Sequence, residues 1–456
     1  MIQRADDRSP RRAPRGWKGR TLPAPRPETL ALFGVALLLR VAYAWLVHGP
    51  HAQPSSDSLT YDTIAWNLAR GFGYQLVGAG GLYPTAFVPP ALPFALSLLY
   101  RVAGHSFFAA VMLMSVFGAC VPLLTRELGR TMFGPAVGRL SGWLAAVHPL
   151  LVFFSGYVMT ESLFTALLLV GLLASVAWIK NPGGGRAFRA GLVWGVAALA
   201  RPTALPIAIL VVAWGWAPLG LGIPGPERRR QAALLLLGTA LAIAPWTLRN
   251  VVRLHAFVPI TSHGGRTLLD ANNPVVWDDP TLRGGNIESL VTEPWASRYK
   301  GLGEVELDRR SGHDAWAFIA SRPRDWAGVA LAKLGRFWRW SATAASTTSW
   351  ASPDATWARR LVALDPLLPW SILLFPFAGW GLVRTLRGSR RHFQLLPLWV
   401  IAAFSAIAVL YWGALRMRVP IEPLVVLYAA AGLADVMWRV RVRRAGLALI
   451  STQQKR

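Results

Sequence analysis

Long apolar runs separated by short polar segments dominate this chain. Ten of the runs approach the roughly 20 residues that an α-helix needs to cross a bilayer. They cover residues 30–47, 107–125, 138–155, 160–179, 190–206, 207–222, 231–248, 366–384, 394–412 and 419–438. The pattern therefore predicts an all-α polytopic membrane protein with about ten transmembrane helices.

An eleventh apolar candidate, residues 85–102, contains Pro89, Pro90 and Pro93, which remove helical hydrogen bonds. If this segment crossed the membrane, the basic loops at 125–139 and 180–189 would lie outside, against the positive-inside rule. If it lies at the surface instead, every strongly basic segment falls in the cytoplasm. We therefore predict an outer loop that contains interfacial helices.

The charge pattern then divides the chain into five parts. We predict a basic cytoplasmic tail, a transmembrane catalytic module with its first outer loop at 49–105, an extracytoplasmic loop region, three C-terminal transmembrane helices and a second basic tail. Their respective ranges are 1–29, 30–248, 249–365, 366–438 and 439–456. Residues 313–340 of the loop region, rich in Trp and Arg, predict two helices along the membrane surface. This topology is that of a multi-pass protein of the inner (plasma) membrane.

Composition narrows the function classes. The 456 residues are 54% hydrophobic and carry a formal net charge of +26. A positive charge of this size could indicate nucleic-acid binding, but the basic residues lie mainly between apolar runs, where they act as topology signals, so we expect no nucleic-acid partner. Cys120 is the only cysteine, which excludes an internal disulfide and a zinc–cysteine cluster.

Two acidic residues lie at the predicted outer ends of apolar helices. Asp57 opens the stretch "SSDSLTYDTIAWNLARGFGY", which has the spacing of an amphipathic helix, and Glu161 begins the fourth span. Carboxylates at membrane depth are costly to desolvate and are functional candidates by default. The alternative is structural: the serines before Asp57, and Thr160 before Glu161, are residue types that cap helices, and an acid in the first turn favours the helix dipole.

Four arginines are predicted on the same outer side: Arg201, Arg249, Arg416 and Arg418. The planar guanidinium group offers paired donors and a permanent charge, which suits it to a phosphate. Any one of these side chains could instead extend toward lipid headgroups. Together with two acids on one face, they indicate a site for a phosphate-bearing substrate.

A series of motifs resembles a known family. In chain order they are "DSLTYDTIAWNLARGFGY", "AFVPPALPFALSLLYRVAG", "HPLLVFFSGYVMTESLF", "ALARPTAL", "PWTLRN", "ITSHGGRTLLDANNP" and "RMRVPIEPL". Their order and spacing, over most of the chain, resemble the GT-C membrane glycosyltransferases, in particular bacterial relatives of protein O-mannosyltransferases and of lipid A aminoarabinose transferases.

The resemblance implies an inverting transferase that takes a sugar from a polyprenyl-monophosphate donor and passes it to a lipid, glycan or protein acceptor on the extracytoplasmic face. Asp57 would be the catalytic base, and Glu161 would orient the acceptor or a metal. Arg416 and Arg418, with Arg249, would neutralise the donor phosphate. The remaining substrate-binding candidates are Tyr61, Arg201 and His263.

Phe87 and Val88 occupy positions where some relatives carry an acid and a lysine. No metal ligand is therefore assigned and no cofactor is established. Whether the site binds a divalent cation is a question that the sequence leaves open. Two other classes also fit a polar site in a membrane protein: a flippase or transporter of lipid-linked sugars, and an envelope glycan polymerase or ligase.

Overall fold

The computed structural model describes residues 27–453 apart from 52, 55, 79, 217–224, 342–364 and 389–390. Most of the predicted N-terminal tail, part of the loop region and the last three residues thus lie outside the described residues. Up to residue 254 the helices and strands are α1 Pro27–His48, α2 Asp57–Ala69, β1 Gln75–Gly78, β2 Gly81–Pro84, α3 Ala91–Ala103, α4 Phe107–Phe133, α5 Pro135–Ala146, α6 Pro149–Phe154, α7 Thr160–Lys180, α8 Gly184–Ala200, α9 Ala204–Trp216 and α10 Gly225–Leu254. The remaining helices are α11 Gly264–Ala271, α12 Pro274–Asp278, α13 Trp295–Arg298, α14 Glu304–Ser321, α15 Pro323–Phe337, α16 Leu367–Arg387, α17 Arg391–Gln394, α18 Leu396–Leu410, α19 Leu415–Arg418 and α20 Glu422–Gln453.

The helices form a membrane bundle. Within the described residues, six helical segments are long and apolar enough to cross a bilayer, and shorter apolar helices accompany them. The six are Pro27–Val47, Phe107–Phe133, Thr160–Lys180, Gly225–Leu254, Leu367–Arg387 and Leu415–Val442. Large apolar side chains such as Leu38 and Leu248 are two-thirds exposed on the outside, as expected for a surface in contact with lipid. The chain is a multi-pass membrane protein of the all-α class, as predicted.

The run at 138–155 does not form one helix. It is split into α5 and α6 at His148, because Pro149 lacks the N–H that would continue the helix and instead starts α6. The freed carbonyl of Ala146 accepts a hydrogen bond of 3.0 Å from Arg40, which is fully buried in α1. A charged side chain within the first span thus donates a hydrogen bond to the free carbonyl at the end of a neighbouring helix.

The first outer loop contains α2, α3 and a short hairpin between them. Strands β1 and β2 pair antiparallel, with Gln75 opposite Pro84. The hairpin was not predicted, because strands of four residues give too short a pattern to recognise. Helix α3 has the expected amphipathic character: Phe94, Leu98 and Val102, spaced four residues apart, are exposed.

The outer region after α10 also agrees with the sequence in its main features. The two helices predicted at 313–340 are α14 and α15, although α14 begins earlier, at Glu304. Lys333 on α15 is fully buried and donates hydrogen bonds to Asn272 (2.7 Å) and to the carbonyl of Leu410 at the end of α18 (3.3 Å). Burial lowers the pKa of Lys333 to about 7. This contact anchors the outer helices, including α11, to the end of the membrane bundle.

Candidate active site

The side chain of Asp57 is directed at an arginine rather than at its own helix. Asp57 is the first residue of α2, and the preceding Ser56 makes no side-chain capping bond. The Asp57 Oδ2 atom accepts a hydrogen bond of 2.6 Å from Nη1 of Arg416, which lies on the short helix α19. The Asp57 side chain remains 52% exposed. Its carboxylate therefore has one face toward a guanidinium and another open to a ligand.

The same guanidinium also holds Glu161. Glu161 is the second residue of α7 and is fully buried. Its Oε1 atom accepts a hydrogen bond from Nε of Arg416 and lies 3.6 Å from Nη2 of Arg201. The residue that caps the start of α7 is Met159, which makes no side-chain capping bond, so Thr160 is not the cap of this helix. Two carboxylates from distant segments therefore meet at a single arginine, which we call the Arg416 bridge.

Arg201 completes the buried side of the site. It follows the end of α8 and turns the chain into α9, as the sequence predicts. Among the residues that the structure describes, Nη1 of Arg201 and Oε2 of Glu161 are both buried without a hydrogen-bond partner. Leaving buried polar atoms unpaired is costly, so these two atoms are natural contact points for a substrate.

Tyr61 and His263 are also near the Arg416 bridge. Tyr61 lies one turn after Asp57 on α2 and is buried; burial raises its pKa, so the phenol keeps its proton. His263 precedes α11 and packs against Phe87, with ring centroids 4.3 Å apart. Burial, followed by the charge of the nearby Arg266, lowers the pKa of His263 to about 4, so this imidazole is neutral near pH 7.

Two opposing effects act on the pKa of Asp57. Partial burial raises it, but the charge of Arg416 and its hydrogen bond outweigh burial, and the net result lies below the usual value near 3.8. His263 and Arg266 lower it slightly further. Asp57 is therefore a carboxylate throughout the physiological pH range.

Arg418 does not belong to this site, contrary to the prediction. It is fully buried, and its Nε atom pairs with Glu422 at 2.5 Å while Nη1 donates to the carbonyls of Phe337 and Arg339. Residues two apart on a helix do not face the same direction, so only one of Arg416 and Arg418 can point at the carboxylates. Arg418 is a structural residue of the bundle, and a phosphate cannot reach it in this arrangement.

Arg249 holds the outer segments together. Its two terminal nitrogens each donate a 2.6 Å hydrogen bond, one to the carbonyl of Thr85 and one to that of Tyr74. The side-chain hydroxyl of Thr85 in turn donates to Glu304 at 2.6 Å. Glu304 also accepts bonds from Ala86 N (2.9 Å) and from the hydroxyl of Ser262. The sequence offered no signal for Glu304, because an acid at the start of a helix is usually explained by the dipole alone.

A groove of about 580 Å³ lies behind Tyr74. Its walls come from the end of α2, the start of α3, α8 and α10, and they are mainly apolar, with Arg249 and Arg253 as its charged residues. Tyr74 belongs to the same buried cluster as Tyr61, although no residue of the Arg416 bridge itself lines the groove. Exposed Phe94 and Val196 also line the groove, which indicates that it opens toward lipid.

No group of three or more His, Cys, Asp or Glu side chains that could hold a metal occurs in the part of the chain that the structure describes. Asp57 and Glu161 provide two carboxylates at the site, one side chain fewer than such a group needs. A guanidinium, however, already lies between them.

Replacing Glu161 by glutamine tests the buried half of the site. The change removes a charge that Arg416 and Arg201 share, so both guanidiniums lose a partner in a poorly solvated place. We expect the catalytic activity to fall by about 10²-fold, comparable to the loss of one positioned polar group. The activity per folded molecule should be compared with that of Glu127→Gln, since Glu127 forms an exposed pair with Arg130. Equal activity in both variants would remove Glu161 from the site.

No family model and no curated protein sequence matches this chain. Several solved protein structures, by contrast, are similar to this chain. The archaeal oligosaccharyltransferase AglB from Archaeoglobus fulgidus, in complex with an inhibitory peptide and a dolichol-phosphate, has a TM-score of 0.57 at 15% identity over 91% of this chain and 51% of that one. The oligosaccharyltransferase of the same organism in complex with Zn and sulfate has a TM-score of 0.54 at 16% identity, over 93% and 51% respectively.

ArnT from Cupriavidus metallidurans bound to undecaprenyl phosphate is a more distant match, with a TM-score of 0.47 and 14% identity over 89% of this chain and 76% of that one. This chain spans about half the length of the archaeal structures. At these identities the likeness concerns the fold. The chain therefore has an all-α fold similar to that of the archaeal oligosaccharyltransferase.

Proposed function

We propose that this protein is an inverting glycosyltransferase that moves a sugar from a polyprenyl-monophosphate donor to an acceptor in the cell envelope. The observation that carries the proposal is the Arg416 bridge. It brings together Asp57 and Glu161, carboxylates of two separate segments, at one end of a bundle with the GT-C fold. One solved protein of similar fold, the archaeal oligosaccharyltransferase, is in complex with a dolichol-phosphate, which supports a lipid-linked donor.

The proposed chemistry is a single displacement. The hydroxyl oxygen of the acceptor attacks the anomeric carbon and forms the new glycosidic bond, while the bond from that carbon to the phosphate oxygen breaks. The hydroxyl proton passes to the carboxylate of Asp57, and the bonding electron pair leaves with the lipid phosphate. Because attack and departure occur on opposite faces of the sugar, the anomeric configuration inverts.

Positive charge is needed where the phosphate departs. Arg416 and Arg201 supply it, since both guanidiniums are held near the reacting carboxylate by Glu161. Nη1 of Arg201 has no protein partner and can bind a phosphate oxygen. Tyr61, with its proton retained, can donate a hydrogen bond to the sugar, and neutral His263 can do the same.

The groove behind Tyr74 suits the donor lipid. Its apolar walls match a polyprenyl chain. Arg249 already donates to two backbone carbonyls, so we propose that it acts mainly through its charge. The site would face the extracytoplasmic side of the inner membrane, as the basic segments of the sequence predict.

A divalent cation was left open by the resemblance, and one structure with this fold contains zinc. The residues here do not fit such an ion. The oxygens of Asp57 and Glu161 that come nearest to each other are both engaged by Arg416, so no step above depends on a metal.

Sugar transfer in proteoliposomes tests the proposal. The purified protein is reconstituted with a polyprenyl-phosphate donor bearing a radiolabelled sugar and with an extract of envelope lipids and glycans as acceptor. We expect label to move from the donor into a second product, with release of polyprenyl phosphate. Translocation of intact labelled donor across the bilayer without loss of its sugar would identify a flippase instead, and growth of a glycan chain on the lipid would identify a polymerase.

The dependence of transfer on pH follows from the two pKa shifts near the site. The pKa of Asp57 is depressed, so its charge is lost only as the pH falls below the usual carboxylate range. His263, with a pKa of about 4, is already neutral above that range. The transfer rate should therefore be level between about pH 5.5 and about pH 7.5, measured at saturating donor. A fall in rate with a midpoint close to the usual histidine pKa, absent from His263→Asn, would show that His263 is protonated during turnover.

A further inference from the structure

Arg416 lies between two carboxylates, those of Asp57 and Glu161. Its Nη1 atom is 2.6 Å from Asp57 Oδ2, and its Nε atom binds Glu161 Oε1. Both contacts come from one rigid, planar group with a permanent charge. The arginine side chain is only 19% exposed, so the surrounding protein holds it in position.

We infer that the Arg416 guanidinium takes the role of a divalent cation in this site, joining the two carboxylates and providing the positive charge for the departing phosphate. The part of this inference that concerns sugar transfer rests on the proposed function. The electrostatic part concerns the protein alone and can be tested without a substrate.

The balance of charge supports this assignment. Asp57 and Glu161 contribute two negative charges, and Arg416 and Arg201 contribute two positive charges. A divalent ion between the carboxylates would bring the same positive charge as the two arginines together. With both arginines present, an added ion would face two like charges at close range, which disfavours its binding.

The chemistry of the donor set points the same way. Mg²⁺ and Mn²⁺ prefer about six oxygen ligands. Among the described residues, Asp57 and Glu161 have no third His, Cys, Asp or Glu beside them with which to complete such a group. The nearest histidine, His263, packs against the ring of Phe87. One oxygen of each carboxylate is therefore already occupied by the guanidinium.

Removing the guanidinium should change the ion preference of the site. In Arg416→Ala the two carboxylates keep their backbone positions on α2 and α7 but lose the cation that lies between them. They then present an uncompensated pair of oxygen ligands beside a cavity left by the side chain. Water can supply the ligands that the protein lacks, since ions of this type are often held by one or two carboxylates and several waters once no guanidinium lies between the carboxylates. We therefore expect this variant to bind a divalent ion that the wild-type protein does not bind.

The experiment compares Mn²⁺ binding by electron paramagnetic resonance in chelator-treated protein, using the wild type, Arg416→Ala and the double variant Arg416→Ala/Asp57→Asn. Arg130→Ala is the matched control, because Arg130 pairs with the exposed Glu127 far from a second carboxylate. We expect a bound Mn²⁺ signal only in Arg416→Ala. A signal of equal strength in the wild type would overturn the inference, as would its absence from a folded Arg416→Ala protein.

Transfer provides a second measurement. Wild-type transfer should be unchanged by EDTA, whereas Arg416→Ala should be inactive after EDTA and should recover at least about tenfold with added Mn²⁺. Loss of wild-type transfer in EDTA, restored by a divalent ion, would overturn the inference even if the variant does not fold. If the wild type transfers no sugar under any condition, the proposed function fails, while the Mn²⁺ measurement still decides the role of Arg416.

Discussion

Replacing Asp57 by asparagine is expected to reduce the rate of sugar transfer by about 10²- to 10⁴-fold, the range typical for loss of a general base. Asparagine has nearly the same shape as aspartate but cannot accept the proton of the acceptor hydroxyl. The variant should still fold, because the Asp57 carboxylate is half exposed and a surface ion pair contributes at most about 1 kcal/mol. The measurement is the initial rate of label transfer in proteoliposomes, normalised to folded protein.

Asp62→Asn is the matched control for this variant. Asp62 lies on the same helix but is buried against α3 and α4, where it accepts a 2.5 Å hydrogen bond from Tyr100 and lies 2.9 Å from His105. An asparagine can still accept the bond from Tyr100, so transfer per folded molecule should be close to that of the wild type. If Asp57→Asn also transferred at the wild-type rate, Asp57 would serve only as a charge partner of Arg416.

Replacing Glu422 by glutamine is expected to destabilise the membrane bundle by about 3–5 kcal/mol, the usual cost of removing one member of a buried ion pair. Glu422 is 1% exposed and accepts from Arg418 at 2.5 Å, and His148 lies 3.3 Å from its second oxygen. After the substitution, the charge of Arg418 remains buried without a counter-charge. Thermal unfolding in detergent, followed by tryptophan fluorescence, should show a clear decrease in the midpoint temperature.

Glu127→Gln is the control for stability. Glu127 and Arg130 form a pair in which both side chains are about half exposed, so its loss should cost less than about 1 kcal/mol. The Glu422→Gln protein that remains folded should transfer sugar normally, since neither Glu422 nor Arg418 reaches the Arg416 bridge. An unfolding temperature equal to that of the control would mean that Arg418 has another counter-charge. A selective loss of transfer would return Arg418 to the active site.

Several features of the site could be predicted from sequence because they depend on local pattern. The spacing of apolar residues after Asp57 predicted helix α2, and the positive-inside rule placed Asp57 and Glu161 on the same side of the membrane. Their meeting at one arginine agrees with that placement. His263, a single histidine in a loop, gave only a weak signal, yet the fold brings it beside the same charges.

Other features depend on contacts that no local pattern contains. Arg416 and Arg418 look equivalent in "RMR", but one joins the carboxylates of Asp57 and Glu161 and the other is buried against Glu422. Arg249 was expected at the phosphate and instead holds the carbonyls of Tyr74 and Thr85. Arg40 is visible in the sequence as a charge within an apolar run, which is a sign of a role, but the sequence did not reveal its partner in the broken helix at Ala146.

The sequence by itself determined the all-α membrane bundle and helices α2 and α3, and it predicted that Asp57 and Glu161 lie on one side of the membrane. These properties follow from transfer free energies and helix periodicity, which add up residue by residue along the chain. Only the tertiary structure decided which arginine faces which carboxylate, because a side chain's direction depends on how its short helix packs against segments more than a hundred residues away. The guanidinium of Arg418, two positions further along the chain, points away from Asp57 and Glu161 and pairs with Glu422 instead.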